Sequence, residues 1–217
     1  MTSQDFKSFS DLLKVRLKQE LPGKEAQIQM APRPIDERRF RENPNRPPRL
    51  GGVMILLYPD ENQIHIPLMK RPEYDGAHSG QISFPGGKLE EVDSDLVETA
   101  LRETHEEIGV PRDEIEVIGS LSELFIIASN FKVLPTVGLL KQRPVFKPDP
   151  IEVADVLTMS LDSLHDKSIR KVKEMHFPPY TIFSPYFEVR GEIVWGATAM
   201  MLSELAFVLS DVKASLR

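Results

Sequence analysis

Residues Gly86 to Val110 read GGKLEEVDSDLVETALRETHEEIGV: a glycine pair, an acidic turn, and a helical pattern that stops at Gly109. On a helix, Glu103, Glu106 and Glu107 stand at i, i+3 and i+4, so their carboxylates share one side and repel one another. A bound cation is the simplest remedy. Val97, Leu101, Thr104 and Ile108 have the spacing of a buried face, which points the acidic ridge away from the core and over a surface cleft. Asp93 or Ser94 suits the N-cap of a helix spanning Ser94 to Ile108. Arg102 carries a planar fork that matches a carboxylate. Glu98 and Glu106 lie one turn away on either side of it, so its expected role is to orient the ridge.

Upstream of this stretch the periodicity is that of strands. Val53 to Tyr58 is a continuous apolar run and Ile64 to Met69 partly alternates; Asp60-Glu61-Asn62 between them is turn chemistry, which predicts a hairpin. Downstream, strands are expected near 115–126, 133–140, 152–159, 171–177 and 186–195. A final helix near 197–213 carries Met200, Met201, Leu205, Val208 and Leu209 as a packing stripe. No internal repeat is present.

The first 49 residues differ in character. Phe6, Phe9, Leu13 and Leu17 fall on one face of an expected helix ending near Pro22-Gly23, with the pattern of a docking or dimer helix. Residues 24–49 are rich in Pro and Arg, with Arg33, Arg38, Arg39, Arg41, Arg46 and Arg49 among them, and read as an extended arm. The expected division is therefore a helix and arm over 1–49 and a folded domain over 50–217.

Composition narrows the function. The 217 residues are 41% hydrophobic, enough for one full core. Without cysteine there is no disulfide framework, thiolate metal site or cysteine nucleophile. The amino-terminal residues mix charges through their apolar positions, unlike a signal peptide, and no run reaches the roughly 18 apolar residues of a membrane span. A cytoplasmic protein with no membrane partner is expected. The net charge of −6 argues against a nucleic-acid-binding surface.

The pattern Gly87, then Arg102-Glu103-Thr104-His105-Glu106-Glu107-Ile108-Gly109-Val110, resembles the signature of the Nudix hydrolases, with Thr104 where an aliphatic residue is usual. The spacing from Gly87 to Arg102 is one residue longer than the general pattern, and Asp93 stands where an upstream Glu is usual. Both features resemble the coenzyme A diphosphatase branch of that family. So does Leu68 to Gly87, LMKRPEYDGAHSGQISFPGG, with Arg71, Gly80 and Phe84-Pro85-Gly86-Gly87 in register, although a second Arg of that motif is Gly76 here.

The resemblance covers about residues 50–212. It implies an α/β/α sandwich with a mixed β-sheet, extended by the amino-terminal helix and Pro/Arg-rich arm. The implied activity is hydrolysis of the diphosphate of coenzyme A or acyl-coenzyme A to 3′,5′-ADP and (acyl-)4′-phosphopantetheine. Another nucleotide substrate, such as ADP-ribose or a dinucleotide, is the first alternative; a non-catalytic nucleotide-binding domain is the second.

Oxygen ligands select hard cations, so Mg²⁺ or Mn²⁺ is the expected cofactor. Glu103 and Glu107 are the first choice as ligands, with Glu106 completing the site or holding a metal-bound water. The base is either Glu103 or, from a later loop as in other Nudix enzymes, Glu152 in the segment DPIEV. Arg71 is suited to grip phosphate oxygens in pairs. His78 is a further candidate phosphate contact. Phe84 either lines the pocket or packs beneath the Gly86-Gly87 turn. The expected partner is a small nucleotide, and homodimerisation through the amino-terminal helix is an open alternative to that helix folding back on its own domain.

Overall fold

The structure is a computed structural model that describes residues 2–35, 45–73, 75, 79–177 and 179–215. His78, Gly76, Arg38, Arg39 and Arg41 lie outside the described residues. The elements in chain order are α1 (Ser3–Arg16), α2 (Gly23–Gln27), β1 (Arg49–Asp60), β2 (Gln63–Lys70), β3 (Ile82–Ser83), β4 (Gly86–Lys88), α3 (Leu96–Ile108), β5 (Glu116–Ser120), β6 (Leu124–Ile126), β7 (Phe131–Leu139), β8 (Asp155–Ser160), β9 (Arg170–Phe177), β10 (Tyr180–Val189), β11 (Glu192–Trp195) and α4 (Gly196–Ser215).

The long strand β1 organises the sheet. Turning at Glu61-Asn62, the chain returns as β2, with Tyr58 opposite His65 and Asp60 opposite Gln63, as the hairpin signals require. Near its start β1 pairs antiparallel with β4, setting Gly52 opposite Gly87. Along its other edge it runs parallel to β7, from Arg49 opposite Phe131 to Leu57 opposite Leu139. The parallel neighbour explains the unbroken apolar run at 53–58, since both faces of such a strand are covered. Met54, Leu56 and Tyr58 belong to the cluster beneath α3 with Ala100, Ile108 and Val110. The alternate residues Ile55 and Leu57 belong to the cluster beneath α4 with Met200, Leu205 and Leu209. Sheet and two helical layers make the expected α/β/α sandwich.

Several local expectations are corrected. The 115–126 segment divides into β5 and β6, and 186–195 is a turn at Arg190-Gly191 between β10 and β11 within a separate three-stranded sheet. Trp195 sits at the end of β11, stacked on Phe177 with centroids 6.0 Å apart. Helix α1 ends at Arg16, well before Pro22, and α2 forms a separate short turn.

The apolar stripe of the amino-terminal helix is covered by its own chain. Phe9, Leu13 and Leu17 are buried in the core cluster beneath α4. Arg16 Nε meets Asp211 Oδ2 of α4 at 2.7 Å. The buried Glu204 of α4 then accepts from Gly23 N at 3.1 Å, Gln27 Nε2 at 2.8 Å and Ser122 N at 3.1 Å, which ties α2 to the same layer. Among the described residues no helix is long and apolar enough to cross a membrane.

Candidate active site

Helix α3 begins at Leu96, two residues later than the sequence suggests. Asp95, not Asp93 or Ser94, is the N-cap, accepting from Val97 N at 2.8 Å and Glu98 N at 2.9 Å. Gly109 closes the helix at φ 72°, a left-handed conformation that favours glycine. With its register set, the helix buries Ala100, Thr104 and Ile108, while Val97 and Leu101 are only partly covered.

The acidic ridge is not turned wholly outward. It grades from Glu106, whose side chain is 52% exposed, through Glu103 at 13% to Glu107 at 2%. Glu107 points down to the sheet and accepts from Gly86 N at 2.8 Å. Its other oxygen faces Arg71 Nη2 at 3.7 Å. Burial pushes the Glu107 carboxyl up to about 8, despite the Gly86 amide and the Arg71 charge that favour its ionised form. Burial also raises Glu103, partly offset by Arg102.

The glycine pair belongs to this geometry. A Cβ at Gly87 would lie 2.2 Å from Glu103 Oε1, so only glycine lets the carboxylate close on the β4 backbone. The β1–β4 pairing thereby sets the glycine turn against α3.

Arg102 holds the ridge, but not through Glu98. Its Nη1 donates to Glu103 Oε1 and Glu106 Oε2, both at 2.9 Å, and Nη2 donates to the Lys88 carbonyl at 3.1 Å. Its Nε and remaining Nη2 direction are taken by Asp93. Glu98 faces Arg112 instead, at 3.9 Å.

A cleft of about 470 Å³ opens here, lined by Arg71, Pro72, Gly86, Gly87, Glu103, Glu107, Ile151 and Glu152. Six of the eight are legible in sequence; Pro72 and Ile151 are not, because an isolated apolar loop residue carries no periodic signal. Glu152 is exposed and stands close enough to raise both Glu103 and Glu107. Glu106 is absent from the lining, held at the rim by Arg102. Phe84 is 1% exposed within the core beneath the turn, so it packs and does not line the cleft. His105 points to solvent.

The donor set suits a hard divalent cation, since every acidic group in the cleft offers carboxylate oxygen. Two carboxylates carried by one helix, both shifted towards protonation, lose that penalty when a cation is added. Among the described residues no three acidic or histidine side chains are gathered tightly enough to chelate an ion unaided.

Sandwich, glycine turn and carboxylate helix define a class. Residues 48–175 match the NUDIX domain, and the chain belongs to that family as a Nudix hydrolase. The uncharacterized Nudix hydrolase NudL of Pectobacterium atrosepticum is 34% identical over 140 residues, which cover 62% of this chain and 69% of that one. Nudix hydrolase 15, mitochondrial, of Arabidopsis thaliana is 33% identical over 189 residues, covering 84% of this chain but only 64% of the plant protein. The crystal structure of the Nudix hydrolase RenU from M. Smegmatis overlays 75% of this chain and 87% of its own, with a TM-score of 0.49 and 14% identity.

Proposed function

We propose that this chain is a divalent-cation-dependent diphosphatase that cleaves coenzyme A, or an acyl derivative, to 3′,5′-ADP and 4′-phosphopantetheine or its acyl form. The observation that carries the hydrolytic reading is Glu103 and Glu107 closed onto Gly86-Gly87 across one cleft from Arg71. Coenzyme A as substrate rests on the resemblance of residues 68–87.

Glu103 and Glu107 would hold Mg²⁺ or Mn²⁺, with Glu106 able to join from the rim. When bound, the cation neutralises charge on the diphosphate and makes water a better nucleophile. Arg71 binds phosphate oxygens with its guanidinium, a role open to it once Glu107 has another partner for its charge. Glu152 takes the proton as water adds to phosphorus and the bridging oxygen leaves with the other phosphate. Glu103 is the poorer base, since Arg102 already holds it. Arg102 does not touch substrate in this reading; it fixes where Glu103 and Glu106 stand.

The test is product analysis with Mg²⁺ or Mn²⁺ and, separately, coenzyme A, acetyl-coenzyme A, ADP-ribose and NADH, alongside Glu103→Gln and Glu107→Gln. Cleavage of coenzyme A to 3′,5′-ADP and phosphopantetheine, lost in both variants, is the expected result. Cleavage of ADP-ribose alone would overturn the substrate, and cleavage of none would leave a nucleotide-binding domain.

A further inference from the structure

We propose that Asp149 is a positioning residue that aims Glu152 into the cleft, an inference that rests on the reading of Glu152 as the base. Among the described residues no hydrogen bond or ion pair holds the Glu152 carboxylate, so its aim comes from the backbone that carries it. That backbone is built from the end of α3. Lys147 N donates to the Ile108 carbonyl and Asp149 N to the Glu107 carbonyl, each at 2.9 Å. The approach is close: a Cβ at Gly109 would lie 2.7 Å from Lys147 Cβ and 2.8 Å from its carbonyl oxygen.

Asp149 then bends the chain into the cleft. Its Oδ1 accepts from Ile151 N at 2.7 Å and, more weakly, from Glu152 N at 3.4 Å. Its carbonyl accepts from Glu152 N at 3.2 Å and Val153 N at 2.9 Å. Immediately beyond, Val153 is buried in the cluster under α3, and Ala154 N donates to the Lys70 carbonyl at 2.8 Å, beside Arg71. One short turn therefore spans from the peptide of Glu107 to the strand that presents Arg71. The Asp149 side chain at its corner can be removed by a substitution that leaves the main-chain bonds in place.

The test compares Asp149→Ala, Asp149→Asn and Glu152→Gln in Mg²⁺-dependent hydrolysis of coenzyme A and ADP-ribose, with amide hydrogen exchange at Ile151 and Glu152 measured by NMR on the same proteins without metal. Glu152→Gln is expected to lower kcat by about a hundredfold or more. Asp149→Ala is expected to lower kcat by about tenfold to a hundredfold, the scale of a displaced catalytic group, with KM little changed. Both amides should then exchange faster. Asp149→Asn keeps an Oδ1 acceptor and should restore kcat and protection alike.

Unchanged exchange in Asp149→Ala would overturn the inference without reference to activity. So would normal kcat in Asp149→Ala beside a slow Glu152→Gln, or equal loss in the Ala and Asn variants, which would point to charge and not to the turn. Full activity in Glu152→Gln would instead sink the reading of Glu152 as base.

Discussion

Arg102 meets Asp93 through two parallel hydrogen bonds, Nε to Oδ1 and Nη2 to Oδ2, each 2.9 Å long, joining α3 to the turn that precedes it. Asp93 Oδ2 also accepts from Thr99 Oγ1 and from Glu90 N, each at 3.0 Å. The Arg102 guanidinium holds the Asp93 carboxyl well below the usual carboxylate range. Removing Asp93 leaves a nearly buried guanidinium short of its best partner. Asp93→Ala should cost about 3 kcal/mol in urea unfolding. A cost indistinguishable from that of an exposed substitution would refute the role.

Gly87 tests the closure of Glu103 onto β4. Because an added Cβ would lie 2.2 Å from Glu103 Oε1, Gly87→Ala must displace that carboxylate. About a hundredfold loss in kcat/KM is expected, with weaker Mg²⁺ binding in a direct titration. Unaltered metal binding would mean that Glu103 is not a ligand.

Glu107 makes metal-free stability depend on pH. An unfolded glutamate ionises near ~4.3, whereas burial keeps Glu107 protonated up to about 8 in the folded chain. Its contribution is therefore fully present below the unfolded value and is lost as pH rises towards 8, where the folded state must bury a charge. Thermal unfolding in a chelator should show a melting temperature that declines between pH 5 and 8. Glu107→Gln should flatten that decline, and Mg²⁺ should stabilise the wild type more at pH 8 than at pH 6. An identical slope in the variant would contradict the assignment.

Leu13 is completely buried between α1 and α4. Leu13→Ala should destabilise the protein by about 3 kcal/mol in denaturant unfolding. Val15, 58% exposed on the same helix, is the control and should tolerate alanine within about 0.5 kcal/mol. Equal, small effects would show that α1 is a detachable appendage.

The parts of the fold legible in sequence are those whose information is local. Alternation and turn residues at 60–62 announce the β1–β2 hairpin, and the period of α3 with its terminal Gly109 announces that helix. The site residues Arg71, Gly86, Gly87, Glu103, Glu107 and Glu152 were also named from sequence, and the structure brings all six to one cleft. Cap identity was less legible: the sequence offers Asp93 or Ser94, whereas Asp95 caps the helix. Only the position of Arg102 shows which one is already engaged.

What the sequence alone determined is the set of chemical groups and their spacing along the helix, since three carboxylates at i, i+3 and i+4 share a side wherever the helix is placed. Tertiary structure decided which of them is buried. The parallel pairing of β1 with β7 and the pairing of β1 with β4 put the glycine turn beside Glu107, and these contacts join residues too distant in the chain for any local periodicity to register. Likewise, the apolar stripe of α1 announced that the helix would be covered, but only packing against α4 identified what covers it. Burial depends on what lies across the space from a residue, and an amphipathic pattern encodes the need for a partner without encoding which one.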